Sequence, residues 1–80
     1  MITLYNLERC PYCKMVRDRL DALRIPYEKI DVPPAHADRH VVRAVSGQSY
    51  VPVLVAGDVV LDDEEKILAW LDETCRGEMP

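Results

Sequence analysis

Apolar and polar positions recur with a readable period along most of the chain. Residues 2–7, with Ile2, Leu4 and Leu7 among them, read as a short first strand that stops at Glu8-Arg9. Beyond Cys10, Val16, Leu20 and Leu23 recur at i, i+4 and i+7, which is the buried stripe of a helix. Pro11 suits the first helical position, where its missing N–H costs nothing. Arg17 and Asp21 are spaced to pair on the outer face, and Pro26 closes the helical region. Residues 27–32, YEKIDV, alternate as a second strand and stop at Pro33-Pro34. A second helix is predicted from about Pro34 to Val45, with Ala37, Val41 and Ala44 facing inward and Ser46-Gly47 ending it. The apolar run 51–55, VPVLV, the turn Ala56-Gly57-Asp58 and the run 59–61 read as a β-hairpin. A last helix is predicted from Asp62, with Asp62 and Glu65 as a capping box and Leu68, Leu71 and Cys75 on its inner stripe. Trp70 is expected at the sheet edge or core boundary, and the tail 76–80 is expected to fray.

The order is β-α-β-α-β-β-α. A βαβ unit implies two parallel strands, and the hairpin adds antiparallel ones. The expected fold class is therefore α/β: a small four-stranded mixed sheet flanked by helices.

Eighty residues fit a single domain, 1–80. Charged residues at 30% and apolar ones at 49% describe a globular chain, not a disordered one. A net charge of −4 argues against nucleic-acid binding, which needs a basic surface. No run of about 18 apolar residues offers a membrane span, and the opening MITLYNL lacks the marks of a secretory signal. Three cysteines, an odd and sparse count, fit a cytoplasmic protein better than a secreted disulfide scaffold.

Two of those cysteines stand close together in RCPYCK, residues 9–14. As a staple, Cys10–Cys13 would close almost no loop and so stabilise little. As a zinc site, the pair lacks a second Cys-x-x-Cys. His36 and His40, at i and i+4, could complete four ligands, but with Arg43 they form an exposed helix stripe and no metal is expected. Redox chemistry remains. Thiol exchange needs a thiolate, and the unpaired N–H groups at a helix start favour one. Cys10 occupies that position, with the N–H groups of Tyr12 and Cys13 near its sulfur and Arg9 and Lys14 adding positive charge. Cys13, one turn in, is expected to be shielded and protonated. Cys10 then attacks, Cys13 resolves, and Pro11 stiffens the turn between them. Val51-Pro52 adds a second signal. Proline cannot donate to a sheet ladder, so Pro52 is either a strand's first residue or a cis proline. The cis form would leave the Val51 backbone free to pair with an extended peptide.

Together, Cys10-Pro11-Tyr12-Cys13 after the first strand, Gly47-Gln48, and Val51-Pro52 resemble a dithiol glutaredoxin over nearly the whole chain. The resemblance implies a thioredoxin-like fold and reduction of protein disulfides and glutathione mixed disulfides. It assigns Cys10 as nucleophile, Cys13 as resolving thiol and Pro52 as the cis proline. Tyr12, Gln48 and Val51 would line a glutathione groove. Glutathione, or another low-molecular-weight thiol, is then a co-substrate with no bound cofactor. Disulfide-containing proteins are the clients, and the protein works as a monomer.

Several positions depart from the family pattern. Leu7 stands where lysine is common, and Arg9 is the candidate substitute. Asp62-Asp63 stand where the family often has Gly-Gly, followed here by Glu64 and Glu65. The backbone N–H groups of Glu64 and Glu65 could still hold the γ-glutamyl carboxylate, but the four acids repel it. Tyr50 replaces a usual Thr or Ser. Residues 51–73 also resemble the N-terminal domain of a glutathione transferase, although such an enzyme needs a second, helical domain. Two alternatives stay open: a redoxin reduced by thioredoxin reductase, and an iron–sulfur carrier, against which Pro11 argues.

Overall fold

The computed structural model describes residues 2–74. Cys75 and the tail lie outside them. β1 (Ile2–Asn6) leads into α1 (Pro11–Ala22) and then β2 (Tyr27–Asp31). A 3₁₀ turn (His36–Asp38) and α2 (His40–Ser46) follow, then β3 (Val53–Ala56), β4 (Val59–Leu61) and α3 (Glu64–Thr74). The sheet order is β2-β1-β3-β4. β1 runs parallel to β2, with Ile2 opposite Tyr27, and antiparallel to β3, with Leu4 opposite Leu54. This is the four-stranded mixed sheet that the element order implies.

Successive strand residues face opposite sides, and the core divides accordingly. Leu4 and Leu54 point to the side covered by α1 and α3, where they meet Val16, Leu20, Ile67 and Leu71. Their neighbours Tyr5 and Val53 point the other way and pack with Val32 and Val42, under α2. Each fully buried Leu or Ile in these layers contributes about 1.5–3 kcal/mol of transfer free energy. Trp70 packs on the edge of the first cluster. Arg19 of α1 bonds Asp72 of α3, linking the two helices that share a face.

The second helical region differs from its prediction. Arg39, at φ −89° and ψ 57°, interrupts it, so His36 and His40 fall on separate elements. α2 buries Val42 and leaves Val41 and Ala44 exposed, and Ala37, in the 3₁₀ turn, is exposed as well. The cause is Arg39 itself, only 4% exposed. Its guanidinium donates to the carbonyls of Pro33 (2.8 Å), Ser49 (2.9 Å) and Pro34 (3.0 Å). These bonds turn the helix register by one residue and clamp the chain on both sides of α2. Gly47 closes α2 at φ 77°, the left-handed conformation that glycine adopts without a Cβ penalty.

Two local pairings also move. Arg17 does not pair with Asp21; it donates to the Oδ1 of Asn6 at 2.6 Å. The last helix starts later than Asp62: the Ile67 N–H bonds the Asp63 carbonyl (2.9 Å), and Asp62 instead lies 3.4 Å from the Lys66 Nζ.

Candidate functional site

The strand-to-helix junction shapes the reactive end. The Cys10 N–H bonds the Leu7 carbonyl at 3.0 Å, which tightens the loop between β1 and α1. Cys10 is the N-cap of α1 in extended conformation, with Pro11 at the first helical position. Its Sγ accepts the backbone N–H of Cys13 at 3.3 Å. A capping sulfur thus takes the place of the usual serine or aspartate oxygen, and an orphan helix donor points at it. Cys10 is half-buried, Cys13 is fully buried, and both are free thiols.

Burial pushes the Cys13 thiol up to about 12; the neighbouring Cys10 adds to the rise, and the Leu7 backbone opposes it. Cys13 is therefore held as a thiol across the physiological range. The folded chain keeps this proton between about pH 9 and about pH 12, where the unfolded chain has released it. Its contribution to stability is complete below that interval and falls as pH rises through it, by up to ~1.4 kcal/mol per pH unit. Denaturant titrations of the reduced protein at rising alkaline pH should show this slope, and Cys13→Ala should flatten it. An equal slope in both proteins would mean that other groups carry the alkaline loss.

A buried amide stands behind the junction. Asn6, fully buried at the end of β1, donates to Glu8 (2.8 Å) and to Asp31 (2.9 Å) while accepting from Arg17. Lys29 and Asn6 together hold the Glu8 carboxyl below the usual carboxylate range. The network ties the loop before Cys10 to β2 and α1. Neither Asn6 nor Arg39 was foreseen from the sequence. Asn6 had one visible sign, an amide side chain inside the predicted first strand. Arg39, in a polar segment, had none.

The Val51-Pro52 peptide bond is cis. β3 begins at Val53, so Val51 lies outside the ladder, and its carbonyl is 4.0 Å from the Cys10 Sγ. Beside it runs a groove of about 420 Å³. Tyr12, Gln48, Tyr50 and Val51 form its sides, and Asp62, Asp63 and Glu64, at the start of α3, close one end. Gln48 is itself braced: its side chain donates to Ser46 and to the Tyr50 carbonyl and accepts from the Tyr50 N–H.

Of the residues expected at a binding groove, Tyr12, Gln48, Val51 and Glu64 line this one. Pro11 starts α1, and Pro52 is fully buried. Glu65 is exposed and does not line the groove. Arg9 lines a second hollow of about 390 Å³, with Leu7 and Asp31. Lys14 is exposed and paired with Asp18 at 2.7 Å. Among the described residues, no group of three His, Cys, Asp or Glu side chains could hold a metal ion.

The chain is similar to several known proteins. The glutaredoxin family model matches residues 2–61. An uncharacterised glutaredoxin-like 8.6 kDa protein in the rubredoxin operon of Clostridium pasteurianum is 31% identical over 62 residues, covering 76% of this chain and 83% of that one. Prostaglandin E synthase 2 of Danio rerio is 37% identical over 73 residues, covering 88% of this chain; the chain spans only 18% of that protein's length. Among solved structures, glutaredoxin 2 of Salmonella typhimurium in complex with glutathione superposes with a TM-score of 0.79 at 26% identity, over 90% of this chain and 33% of that one. A diazinon-metabolising glutathione S-transferase of the silkworm Bombyx mori gives a TM-score of 0.87 at 26% identity, over all of this chain and 40% of that one. The fold is thus thioredoxin-like, with likeness both to glutaredoxins and to a segment of glutathione transferases.

Proposed function

The chain belongs to the glutaredoxin family, and from that premise we propose that it is a dithiol oxidoreductase that reduces disulfides through Cys10 and Cys13. The observation that supports this most is the division between the two sulfurs. Cys10 is reachable and accepts a helix N–H; Cys13 is buried and held protonated.

The chemistry follows from that division. The Cys10 thiolate attacks one sulfur of the substrate disulfide; a new S–S bond forms, the old one breaks, and the leaving thiolate takes up a proton. In the mixed disulfide Cys10 is no longer a neighbouring anion or hydrogen-bond partner, so two of the influences that hold the Cys13 proton are removed. Cys13 then gives up its proton and displaces the second substrate thiolate, which is protonated. The substrate gains two electrons and two protons, and a Cys10–Cys13 disulfide remains. Two equivalents of a low-molecular-weight thiol restore the dithiol and leave as their own disulfide. Glutathione is the first candidate, because a structural relative of this family is solved with glutathione bound. A monomer in the reducing cytoplasm suits this cycle.

The acids at the start of α3 favour a second reading, a redoxin recharged by thioredoxin reductase. One experiment separates the two: oxidise the protein and follow the return of both thiols, with glutathione and its reductase in one arm and thioredoxin reductase with NADPH in the other. Fast recovery in the first arm is the expected result. Recovery in the second arm alone assigns the redoxin reading, and no recovery in either arm removes the oxidoreductase reading altogether.

A further inference from the structure

From the groove beside Cys10 we infer that the preferred clients are peptide disulfides with lysine or arginine flanking the reacting cysteine. The inference rests on the oxidoreductase reading and names its substrate class.

The groove carries three carboxylates and no cationic side chain along its lining. Asp62 shares its charge with Lys66, whereas Asp63 and Glu64 have no ion-pair partner among the described residues. The helix N-terminus supplies only about half a positive charge, which does not offset them. Arg9 lines a different hollow and Lys14 pairs with Asp18, and neither lines the groove. The sides add a second chemistry. Tyr12 is 52% exposed and Tyr50 67% exposed, two ring surfaces flanking a negative end. His36 meets Tyr50 edge-on, with ring centroids 4.9 Å apart, and so braces that ring. Aromatic walls accept the methylene stem of Lys or Arg and favour the charged head by cation–π attraction.

Val51 supplies the third element, an unladdered backbone segment within 4.0 Å of the reactive sulfur. An extended client laid along Val51 places its disulfide at Cys10 and a flanking side chain in the groove. The acids then attract a cation and repel a carboxylate. The bond changes are those written above; the groove alters only which disulfide reaches Cys10.

The test uses disulfide-linked dimers of a single-cysteine peptide, identical except that Lys, Gln or Glu flanks the cysteine. Single-turnover rates with the reduced protein are divided by rates with 2-mercaptoethanol, so that the intrinsic reactivity of each disulfide cancels. At low ionic strength the Lys peptide should react about tenfold or more faster than the Glu peptide, with Gln between. The gap should shrink at about 1 M salt, where screening cuts the reach of charge to roughly 3 Å. The Asp63→Asn, Glu64→Gln double variant should bring the Lys/Glu ratio close to one. Equal normalised rates for the three peptides, or a faster Glu peptide, would overturn the inference while leaving the oxidoreductase reading in place. No reaction with any peptide would overturn both.

Discussion

The Cys10→Ser variant is expected to lose single-turnover disulfide reduction by a factor on the order of 10³ or more, because the serine hydroxyl has neither the acidity nor the nucleophilicity of the thiol it replaces. Its fold should be intact. Serine is a good N-cap, so the N–H of Cys13 that now meets sulfur at 3.3 Å would meet a hydroxyl oxygen instead. The comparison with Cys13→Ser makes the result specific. That variant keeps the attacking sulfur and should form the first mixed disulfide at a rate near that of the unchanged protein. It should then stall, because the group that displaces the second thiolate is gone. Mass spectrometry of the protein after mixing with a peptide disulfide reads both outcomes: no adduct for Cys10→Ser, a persistent adduct for Cys13→Ser. An adduct on Cys10→Ser would transfer the attacking role to another thiol.

The Arg39→Ala variant is expected to cost about 2–4 kcal/mol of stability. The buried guanidinium makes three bonds to backbone carbonyls, and hydrogen bonds to a charged group are worth roughly 1.5–3 kcal/mol each before neighbouring water compensates. The loss should appear as a lower denaturant midpoint at unchanged slope. Arg39→Lys should recover only part of it, since one ammonium cannot reproduce a planar fork that serves three acceptors. The substitution also reaches the groove. Ser49, whose carbonyl Arg39 holds, lies between Gln48 and Tyr50, two residues of the groove wall. KM for a peptide disulfide should therefore rise more than kcat falls. A variant with an unchanged midpoint would mean that water replaces the guanidinium at all three carbonyls.

Much of the fold was legible because it depends on short-range periodicity. The Val16–Leu20 stripe, the apolar positions Ile2 and Leu4 of β1 and the hairpin turn at Gly57 are each decided within a few residues, and each element formed close to where its pattern lay. The larger departure is the region 34–46. Its apolar residues allowed two inward faces, and the period alone selected the one through Val41. Val42 is buried instead, because Arg39 bonds carbonyls on segments before and after the helix and stops it from continuing as one piece. No helical pattern could carry that information.

The sequence by itself determined the reactive pair. Cys10 and Cys13 stand three residues apart at a helix start, so the donor from one to the other follows from chain connectivity and helix geometry alone. The proline, the turn glycine and the hairpin are local in the same sense. The tertiary structure alone decided what faces that pair. The Val51 carbonyl comes to Cys10 across 41 residues of chain, and the acids at the start of α3 share a groove with Tyr12 and Tyr50 only because β3 returns beside β1 and β4 beside β3. It also diverted Arg9 to another hollow and buried Asn6 and Arg39 as anchors. The physical reason is reach. A contact between neighbours in the chain is settled by a few backbone dihedrals, whereas a contact between distant segments exists only once the packing of the whole sheet and its helices has placed them.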